Sequence, residues 1–366
     1  MNTIKSNIVI VSSEFPPQPG GIGNHAYNLA LHLSKSGHDV RVIADQRSKS
    51  GKEELDFDAS LPFLVERIKL YDFRVIMYFK RIILTFKYLK LATHCIATGK
   101  FSLWNVAFSS LFFKRKTIAV IHGTEVNFKS ALLQKSINIS LKRFDVIVAV
   151  SNYTKDLVAH LNRDILVIPN GITISEWQNV KEKIVLNGSP SLTTVGRVSS
   201  RKGQLNVIKH LPALIQEFPK LHYHCVGILG ENDAFIKVAE SLNVASYVTF
   251  HGSVDNDTLK QILEATDVFV MLSSESNTGD VEGFGIAVLE ANAMGVPAIG
   301  AKGCGIEDAI DDYKSGILIN NNAQEFKIAV VEILKDIENY QKSSISWAQK
   351  HSWSKIIQMY LTLIED

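Results

Sequence analysis

The sequence predicts two doubly wound α/β domains that face each other across a cleft, and three observations lead to this fold class. The chain has 366 residues, a length that favours two domains at roughly 150 residues each. With 46% hydrophobic and 21% charged residues, its composition is globular and excludes disordered and fibrous classes. Short apolar strand segments alternate with helical ones, which is typical of parallel sheets covered on both faces.

The first domain is predicted over residues 1–170, where strands and helices alternate. A Pro/Gly loop follows the first strand, and a helix over 23–36 stops at Gly37. The predicted strands are residues 8–11, 40–44, 117–121, 145–150 and 165–168.

A polar segment without strong periodicity, 171–190, is predicted as the linker to a second domain over 191–352. The predicted strands there are residues 192–195, 222–226, 248–250, 268–272, 298–299 and 317–319. The amphipathic C-terminal segment, 353–366, is expected to pack back on the first domain as a helix. Open parallel sheets bind ligands beyond the carboxyl ends of their strands, so we expect the ligand between the two domains.

The net charge of +2 is a cancellation between the two halves. Residues 1–170 hold 23 Lys+Arg against 13 Asp+Glu, whereas residues 171–366 hold 16 against 24. An anionic partner is therefore expected for the first half. The three distant cysteines have neither disulfide-framework nor zinc spacing, and we find no signal peptide and no membrane span. We expect a cytoplasmic protein that binds no nucleic acid.

The loop after the first strand is a candidate phosphate site. Gly21-x-Gly23-x-x-Ala26 matches a dinucleotide fingerprint, and Asp45 stands where a ribose-binding acid would be, so an NAD(P)-dependent oxidoreductase is one alternative. However, eight residues, three of them prolines, separate Gly21 from the strand. A stiff loop that presents backbone N–H groups at a helix N-terminus suits a phosphate equally well, and a plain Gly-rich turn is a further alternative.

The second domain contains a basic loop and two spaced carboxylates. Arg197 and Lys202 bracket a loop between a strand and a helix, which is a candidate diphosphate site, although such a loop alone is more often a solvated turn. A helix is predicted to begin near Phe284. Eight positions of helical rise would then separate Glu282 from Glu290 by roughly 12 Å, about the length of a sugar diphosphate. Glu290 lies in an apolar segment, where an unpaired charge would be costly.

A histidine in the first domain is the third candidate. His122-Gly-Thr-Glu125 follows the strand 117–121, so it lies at a carboxyl strand end. A histidine there could donate a hydrogen bond to a substrate or transfer a proton, although a lone histidine is more often structural. Glu125 is the nearest carboxylate and is interpreted as a group that orients His122.

Together these features resemble the retaining glycosyltransferases of family 4, the group 1 type with the GT-B fold, over nearly the whole chain. The element E-x7-E followed by G-x-P is the specific part. The matching residues are Pro16-Pro-x-Pro-Gly-Gly-x-Gly23, His122-Gly123, Ser151, Pro169-Asn-Gly171, Gly196-Arg197, Lys202-Gly203, His251-Gly252, Glu282-Gly-Phe-Gly285 with Glu290, and Gly295-x-Pro297.

The resemblance implies two Rossmann-like domains and the transfer of a hexose from a nucleoside diphosphate sugar, with no metal or other cofactor. The implied catalytic residues are His122, Glu282, Arg197 and Lys202. The implied donor-binding residues are Gly20, Gly21, Arg197, Lys202, Val254, Asn256, Phe284, Gly285, Ile286 and Glu290. The implied acceptor side consists of Gly23, Asn24 and Glu125.

Within this resemblance, the stretch 279–285 is most similar to mannosyltransferases that use GDP-mannose, but glucose, galactose and GlcNAc remain open. A GT-B sugar-nucleotide epimerase and an inactive sugar-binding module are further alternatives. Two D-x-D sequences are considered as metal ligands and set aside: Asp56-Phe-Asp58 lies in a predicted polar loop, and Asp255 is predicted to cap a helix that begins near Thr258.

Residues 67–116 form a basic, aromatic stretch with 11 Lys+Arg, 11 aromatic residues and a single acid. A helical wheel places Val75, Tyr78, Ile82, Phe86 and Leu89 on one face. Two interpretations remain open: a helix packed on the core with a solvated face, or an interfacial helix on an anionic leaflet. In the second case the enzyme would lie peripherally at the inner face of the cytoplasmic membrane, and its acceptor would be lipid-linked.

Overall fold

In the computed structural model, residues 5–178, 180 and 182–365 are described. The chain divides into two compact units, of which the first runs to Gly171 and resumes at Trp353, and the second runs from Ile172 to Ser352. Positions 179 and 181 of the predicted linker, and the ends of the predicted segments 1–170 and 353–366, lie outside the described residues.

The first unit is built on a parallel sheet of seven strands. The strands are β1 (Asn7–Ser12), β2 (Asp39–Asp45), β3 (Leu64–Ile68), β4 (His94–Thr98), β5 (Lys116–Ile121), β6 (Val146–Ala149) and β7 (Ile165–Val167). Their order is β3-β2-β1-β4-β5-β6-β7, so the winding direction reverses between β1 and β4. Ser12 stands opposite Thr98 there, and the loops after these two strands leave the sheet at a topological switch point.

Helices connect these strands. The helices are α1 (Gly21–Lys35), α2 (Lys52–Asp58), α3 (Arg74–Leu89), α4 (Lys100–Ser109), α5 (Ala131–Leu141), α6 (Asn152–Asp156) and the C-terminal α14 (Trp353–Glu365). Helices α3, α4 and α5 pack side by side, and the C-terminal helix packs on α1. Apolar side chains from α3, α4 and α5 share a core with alternate residues of the strands, such as Val9 and Ala119. Helix α14 packs on α1, where Tyr360 and His25 are hydrogen-bonded.

The second unit repeats the architecture with a parallel sheet of six strands in the order β10-β9-β8-β11-β12-β13. The strands are β8 (Ser191–Val195), β9 (His222–Val226), β10 (Val248–Gly252), β11 (Val268–Met271), β12 (Ala298–Ala301) and β13 (Gly316–Ile319). The helices are α7 (Ile174–Trp177), α8 (Gln204–Leu214), α9 (Asn232–Ser241), α10 (Asn256–Glu264), α11 (Ile286–Ala293), α12 (Ala323–Lys335) and α13 (Ile337–Lys350). Here the reversal lies between β8 and β11, which confirms the prediction of two doubly wound domains.

Two strands of the first sheet were absent from the prediction, and each has a physical reason. Strand β3 is at the sheet edge, and its Glu66 and Arg67 are only partly buried, so no continuous apolar run marks it. Strand β4 is fully buried but short, and it begins at a histidine soon after the apolar helix α3.

Helix α3 does not pack on the core with the apolar face of the helical wheel, which was the first of its two interpretations. The buried residues are Met77, Arg81, Thr85, Tyr88 and Leu89, whereas Val75 and Tyr78 of that face are exposed. The cause is Arg81, which is 2% exposed and forms an ion pair with Asp45 at the end of β2. This pair, together with a hydrogen bond from Asn105 to Thr85 Oγ1 (2.7 Å), turns a polar stripe of the helix towards the sheet.

Candidate active site

The loop between β1 and α1 brings backbone N–H groups to a helix start. Helix α1 begins directly after Gly20, with no side-chain cap and no acidic residue in its first turn, so side chains do not cap its positive end. The Glu14 carboxylate lies beside Gly20, since a Cβ there would be 2.4 Å from Glu14 Oε2. A Cβ at Gly23 would lie 3.0 Å from the backbone nitrogen of Phe15, so the loop can return across the helix only at a glycine. Gly21 and Asn24 are exposed beside it.

Two arginines hold this loop by its carbonyl groups. Arg47 donates to Pro19 O (3.2 Å), and Arg67 donates to Pro16 O (2.5 Å) while it binds Asp58 through two nitrogens. These hydrogen bonds restrain the loop through its carbonyl oxygens. Asp58 is therefore an ion-pair partner at the end of α2, and the prediction that 56–58 is a loop is wrong.

Asp45, the acid of the dinucleotide fingerprint, is engaged in an ion pair with Arg81. Its carboxylate receives Arg81 Nε (3.2 Å) and Arg81 Nη2. Burial raises the pKa of Asp45, and Arg81 opposes that rise. A carboxylate engaged in this way is not free to bind a ribose diol, which weighs against the oxidoreductase alternative.

His122 follows β5 and is held from two directions. Thr98 Oγ1, at the end of β4, lies 2.8 Å from His122 Nε2, and the His25 ring contacts it edge-on with the ring centroids 5.0 Å apart. In the part of the chain that the structure describes, His122 Nδ1 has no hydrogen-bond partner. Burial and the neighbouring His25 lower the pKa of His122 well below its ordinary value, so the ring is neutral.

Glu125 is brought to His122 but binds its backbone. Its Oε1 accepts the His122 N–H (2.5 Å), the side chain is fully buried, and Oε2 has no partner in the structure. Burial raises the pKa of Glu125 to about 7, although the backbone N–H groups that it accepts oppose the rise. Glu125 therefore shapes the turn that carries His122 and is not exposed to act as a nucleophile.

In the second unit, the loop after β8 carries three cations. Glu282 Oε2 accepts Lys202 Nζ (2.7 Å) and Arg201 Nη1 (2.5 Å), and Arg197 is exposed without a partner among the described residues. Burial alone would raise the pKa of Glu282, but the two cations outweigh it and hold that pKa below its ordinary value. Gly203 closes the loop against β11, because a Cβ there would lie 2.1 Å from Leu272 O.

The helix that follows Glu282 starts later than predicted. Gly285, with φ of +91°, precedes α11, which begins at Ile286. Residues 282–285 are therefore not helical, and the separation of roughly 12 Å derived from helical rise does not apply. The buried Phe284 contacts the ring of His351.

Glu290 lies on α11 and makes no hydrogen bond or ion pair in the described structure. Burial raises its pKa to about 7, and Lys202 partly opposes this rise. Val254 and Asn256 flank Asp255 at the start of α10. Asn256 is the exposed first residue of α10, and Asp255 caps that helix by accepting Thr258 N–H (2.7 Å), as predicted, although the helix begins two residues earlier.

Two contacts at these sites escaped the sequence prediction. Arg201 was visible next to Lys202 as a third cation of the basic loop, but its partner Glu282 is 81 positions away. Thr98 lies in a strand that was not predicted, so no sequence signal connected it with His122.

Comparison with known proteins decides the family. A model of glycosyl transferases group 1 matches residues 176–350, and a model of glycosyltransferase family 4 matches residues 19–176. The chain is a glycosyltransferase of family 4, group 1. It is 26% identical over 355 residues to a GDP-mannose-dependent alpha-(1-6)-phosphatidylinositol monomannoside mannosyltransferase of Mycobacterium tuberculosis, with 90% of each chain covered.

A further sequence relative agrees with this family, and solved structures agree with the GT-B fold. The chain is 24% identical over 268 residues to the N-acetyl-alpha-D-glucosaminyl L-malate synthase of Bacillus anthracis, covering 69% of this chain and 68% of that one. The crystal structure of Anabaena HepE in complex with UDP and glucose superposes with a TM-score of 0.78 at 17% identity, over 99% and 100% of the chains. A glycosyltransferase from Rickettsia africae gives 0.79 at 18% identity, over 99% and 98%.

No helix among the described residues is both long and apolar enough to cross a bilayer. Nor do three or more His, Cys, Asp or Glu side chains in the described ranges come together in an arrangement that could hold a metal ion.

Proposed function

We propose that this glycosyltransferase moves a hexose from a nucleoside diphosphate sugar to a hydroxyl group of a glycan or lipid-linked acceptor, in the synthesis of cell-surface polysaccharide or glycolipid. The observation that carries the proposal is a pair of cations, Arg197 and Lys202, on the loop after β8. A departing diphosphate gains negative charge in the transition state, and fixed cations stabilise that charge.

Mannose from GDP-mannose is the first candidate donor. The Mycobacterium tuberculosis relative is named as a GDP-mannose-dependent mannosyltransferase, and the stretch 279–285 is of the same type. Glucose, galactose and GlcNAc from UDP-linked donors are the other candidates, since HepE was crystallised with UDP and glucose. In either case Glu282 Oε1, which has no partner among the described residues, would accept hydrogen bonds from sugar hydroxyls.

The proposed transfer retains the anomeric configuration. Near His122 the candidate nucleophile is Glu125, and it is fully buried against the His122 backbone. We therefore assign proton acceptance from the acceptor hydroxyl to the leaving phosphate. His122 would contribute a hydrogen bond through Nδ1, since its other nitrogen faces Thr98. The proposal invokes no metal ion, because Arg197 and Lys202 supply the positive charge at the diphosphate.

A panel of nucleotides tests the donor assignment. Thermal shifts would be measured with UDP, GDP, ADP, NADH and NADPH, followed by turnover of the matching nucleotide sugars with and without acceptor sugars. We expect a shift with GDP or UDP and slow hydrolysis of the matching sugar. A shift with NADH or NADPH alone would overturn the proposal, and an altered sugar nucleotide without hydrolysis would favour the epimerase alternative.

We also propose that α3 and the end of α4 bind an anionic membrane surface. Phe73 (72% exposed), Val75 (70%), Phe79 (67%), Ile83 (56%) and Phe112 (60%) expose large apolar side chains. Exposed cations accompany them, and these are Arg74, Lys80, Lys87 and Lys90. Exposed apolar groups beside cations match an anionic interface, where each cation near the surface contributes about 1 kcal/mol.

Vesicle flotation tests the membrane proposal. We expect the protein to float with phosphatidylglycerol vesicles at low salt, and to float less with phosphatidylcholine or at high salt. The variant K80Q/K87Q should reduce flotation, while K209Q/K237Q, which removes two exposed lysines of the second unit, should not. Equal flotation of both variants, or none with any vesicle, would contradict the proposal.

A further inference from the structure

The ion-pair cluster in the second unit holds one more cation than Glu282 requires. Arg201 and Lys202 both bind the same oxygen, Oε2, at 2.5 and 2.7 Å. The Glu282 side chain is only 12% exposed, so it needs one close cation to stay ionised. A second cation on the same oxygen becomes necessary only if the first has another partner.

Lys202 is the cation that can change partner. Its flexible stem lies against the backbone of Gly196, at the mouth of the loop after β8, and the charge of Lys202 also acts on Glu290. A lysine ammonium is a point charge on a flexible stem and can turn from a carboxylate to a phosphate. Under the proposed function, the donor diphosphate draws Lys202 away from Glu282, at least in part.

Hydrogen bonds hold the backbone at Arg201 and at the residue before it. Its carbonyl accepts Ser274 N–H (3.2 Å), and the preceding Ser200 is bound by Glu231 through its N–H (3.2 Å) and its hydroxyl (2.5 Å). These bonds hold the backbone of the short 3₁₀ turn Ser200–Lys202, from which the Arg201 guanidinium reaches Glu282 Oε2. A planar guanidinium also loses less conformational freedom in such a pair than an ammonium does.

Glu290 shows what happens to a carboxyl in the same unit without a cation in contact. Its pKa is raised to about 7, whereas that of Glu282 is held below its ordinary value. If Lys202 turned to the phosphate and no other cation remained, Glu282 would resemble Glu290. Its pKa would rise, and in the protonated form it would lose the acceptor strength that a sugar hydroxyl requires.

We infer that Arg201 is a positioning residue that keeps Glu282 ionised and aimed at the sugar while Lys202 binds the donor diphosphate. This inference rests on the proposed function. It assigns different kinetic effects to two adjacent cations: loss of Lys202 acts on the diphosphate, whereas loss of Arg201 acts on Glu282.

The experiment compares R201Q, R201K and the control K209Q, which removes an exposed lysine from α8. Turnover of the nucleotide sugar selected by the thermal-shift panel would be followed from pH 5 to pH 9. We expect R201Q to lower kcat about 10- to 100-fold at pH 7, with the donor KM changed by less than about threefold, and to move the acidic limb of kcat upwards by about one pH unit. R201K should return the acidic limb of the kcat–pH profile most of the way to its wild-type position. K209Q should match the wild type.

Several outcomes would overturn the inference. An R201Q profile with an unshifted acidic limb would do so, as would a large rise in donor KM with kcat intact, since that result makes Arg201 a phosphate ligand. Thermal melts check that R201Q is folded. If it is not, the acidic limb of the kcat–pH profile is compared between R201K and the wild type instead. Failure of the proposed function is separable, because the wild-type protein would then neither bind UDP or GDP nor turn over any nucleotide sugar.

Discussion

The two units differ in how they set the charge of ionisable side chains in the loops that follow their strands. In the first unit, burial keeps His122 uncharged and raises the pKa of Glu125 to about 7, and neither group forms an ion pair in the described structure. In the second unit, Arg201 and Lys202 hold Glu282 ionised despite its burial. The first site is thus suited to neutral hydrogen bonding with hydroxyl groups, and the second to fixed charge.

This contrast runs against the net charges of the two halves. The first half carries the surplus of Lys and Arg and the second half the surplus of Asp and Glu, yet the cation cluster lies in the second. Many cations of the first half are instead exposed on α3 or occupied by partners such as Asp45 and Asp58. The charge of a region therefore says little about the charge of the site within it.

The largest expected effect comes from removing a cation of the second unit. We expect Arg197→Ala and Lys202→Ala each to lower kcat/KM for transfer by about 100-fold or more, because each removes charge that stabilises the leaving diphosphate. Steady-state kinetics with the cognate nucleotide sugar checks this, and K209Q is the matched control. Normal turnover in either variant would show that the fixed charge of this loop is not used in the reaction.

Glu290 is the intermediate case, since it lies in the charged unit but has no cation in contact. Because its pKa is about 7, its carboxylate forms as pH rises from 6 to 8, so wild-type affinity for UDP or GDP should increase over that range. Glu290→Gln should reduce this dependence to the part that comes from the nucleotide's own terminal phosphate, and should weaken binding about tenfold at pH 8, the cost of losing a charge-assisted hydrogen bond to the ribose. Calorimetric titration measures both effects.

The exposed Glu240→Gln on α9 serves as the control for Glu290→Gln. Equal affinities of Glu290→Gln and the wild type at pH 8 would remove the ribose role from Glu290. The outcome also bears on the contrast between the units. It tells whether a carboxyl group of the second unit that has no cation in contact binds the nucleotide in its charged form.

The sequence was sufficient to predict the strands of both sheets but not which charged side chains pair with each other. All eleven predicted strands are present, because a buried parallel strand leaves a continuous apolar run whatever its neighbours are. The pair between Arg81 and Asp45 spans 36 positions, and that between Arg201 and Glu282 spans 81. No local pattern indicates such partners, and the pair between Arg81 and Asp45 lies on a different face of α3 from the apolar face of the helical wheel.

The site residues divide in the same way. Lys202 and Glu282 were predicted separately, each from its own motif, and the structure joins them in one ion pair. The spacing between Glu282 and Glu290 was misjudged because Gly285 delays the start of α11 to Ile286. A glycine at positive φ is visible as a residue, but the conformation that it adopts depends on what packs against it.

The smallest expected effect tests the first unit, where burial suppresses charge. The pKa of Glu125 in the folded protein, about 7, lies above its ordinary value of 4.5, so the folded state binds the proton more tightly than the unfolded state does. The stability that this group contributes is fully present below pH 4.5 and is lost as the pH rises through 7. Glu125→Gln cannot ionise, but it keeps an oxygen that can accept the His122 N–H.

We therefore expect Glu125→Gln to match the wild type in thermal melts at pH 5 and to be more stable at pH 8, by about 1 to 3 kcal/mol. The control is Asp156→Asn, which removes an exposed acid of the same unit and should leave the pH dependence unchanged. If Glu125→Gln instead loses stability equally at both pH values, the buried carboxyl contributes through hydrogen bonding and not through suppressed charge. The two units would then differ in their partners but not in how they control ionisation.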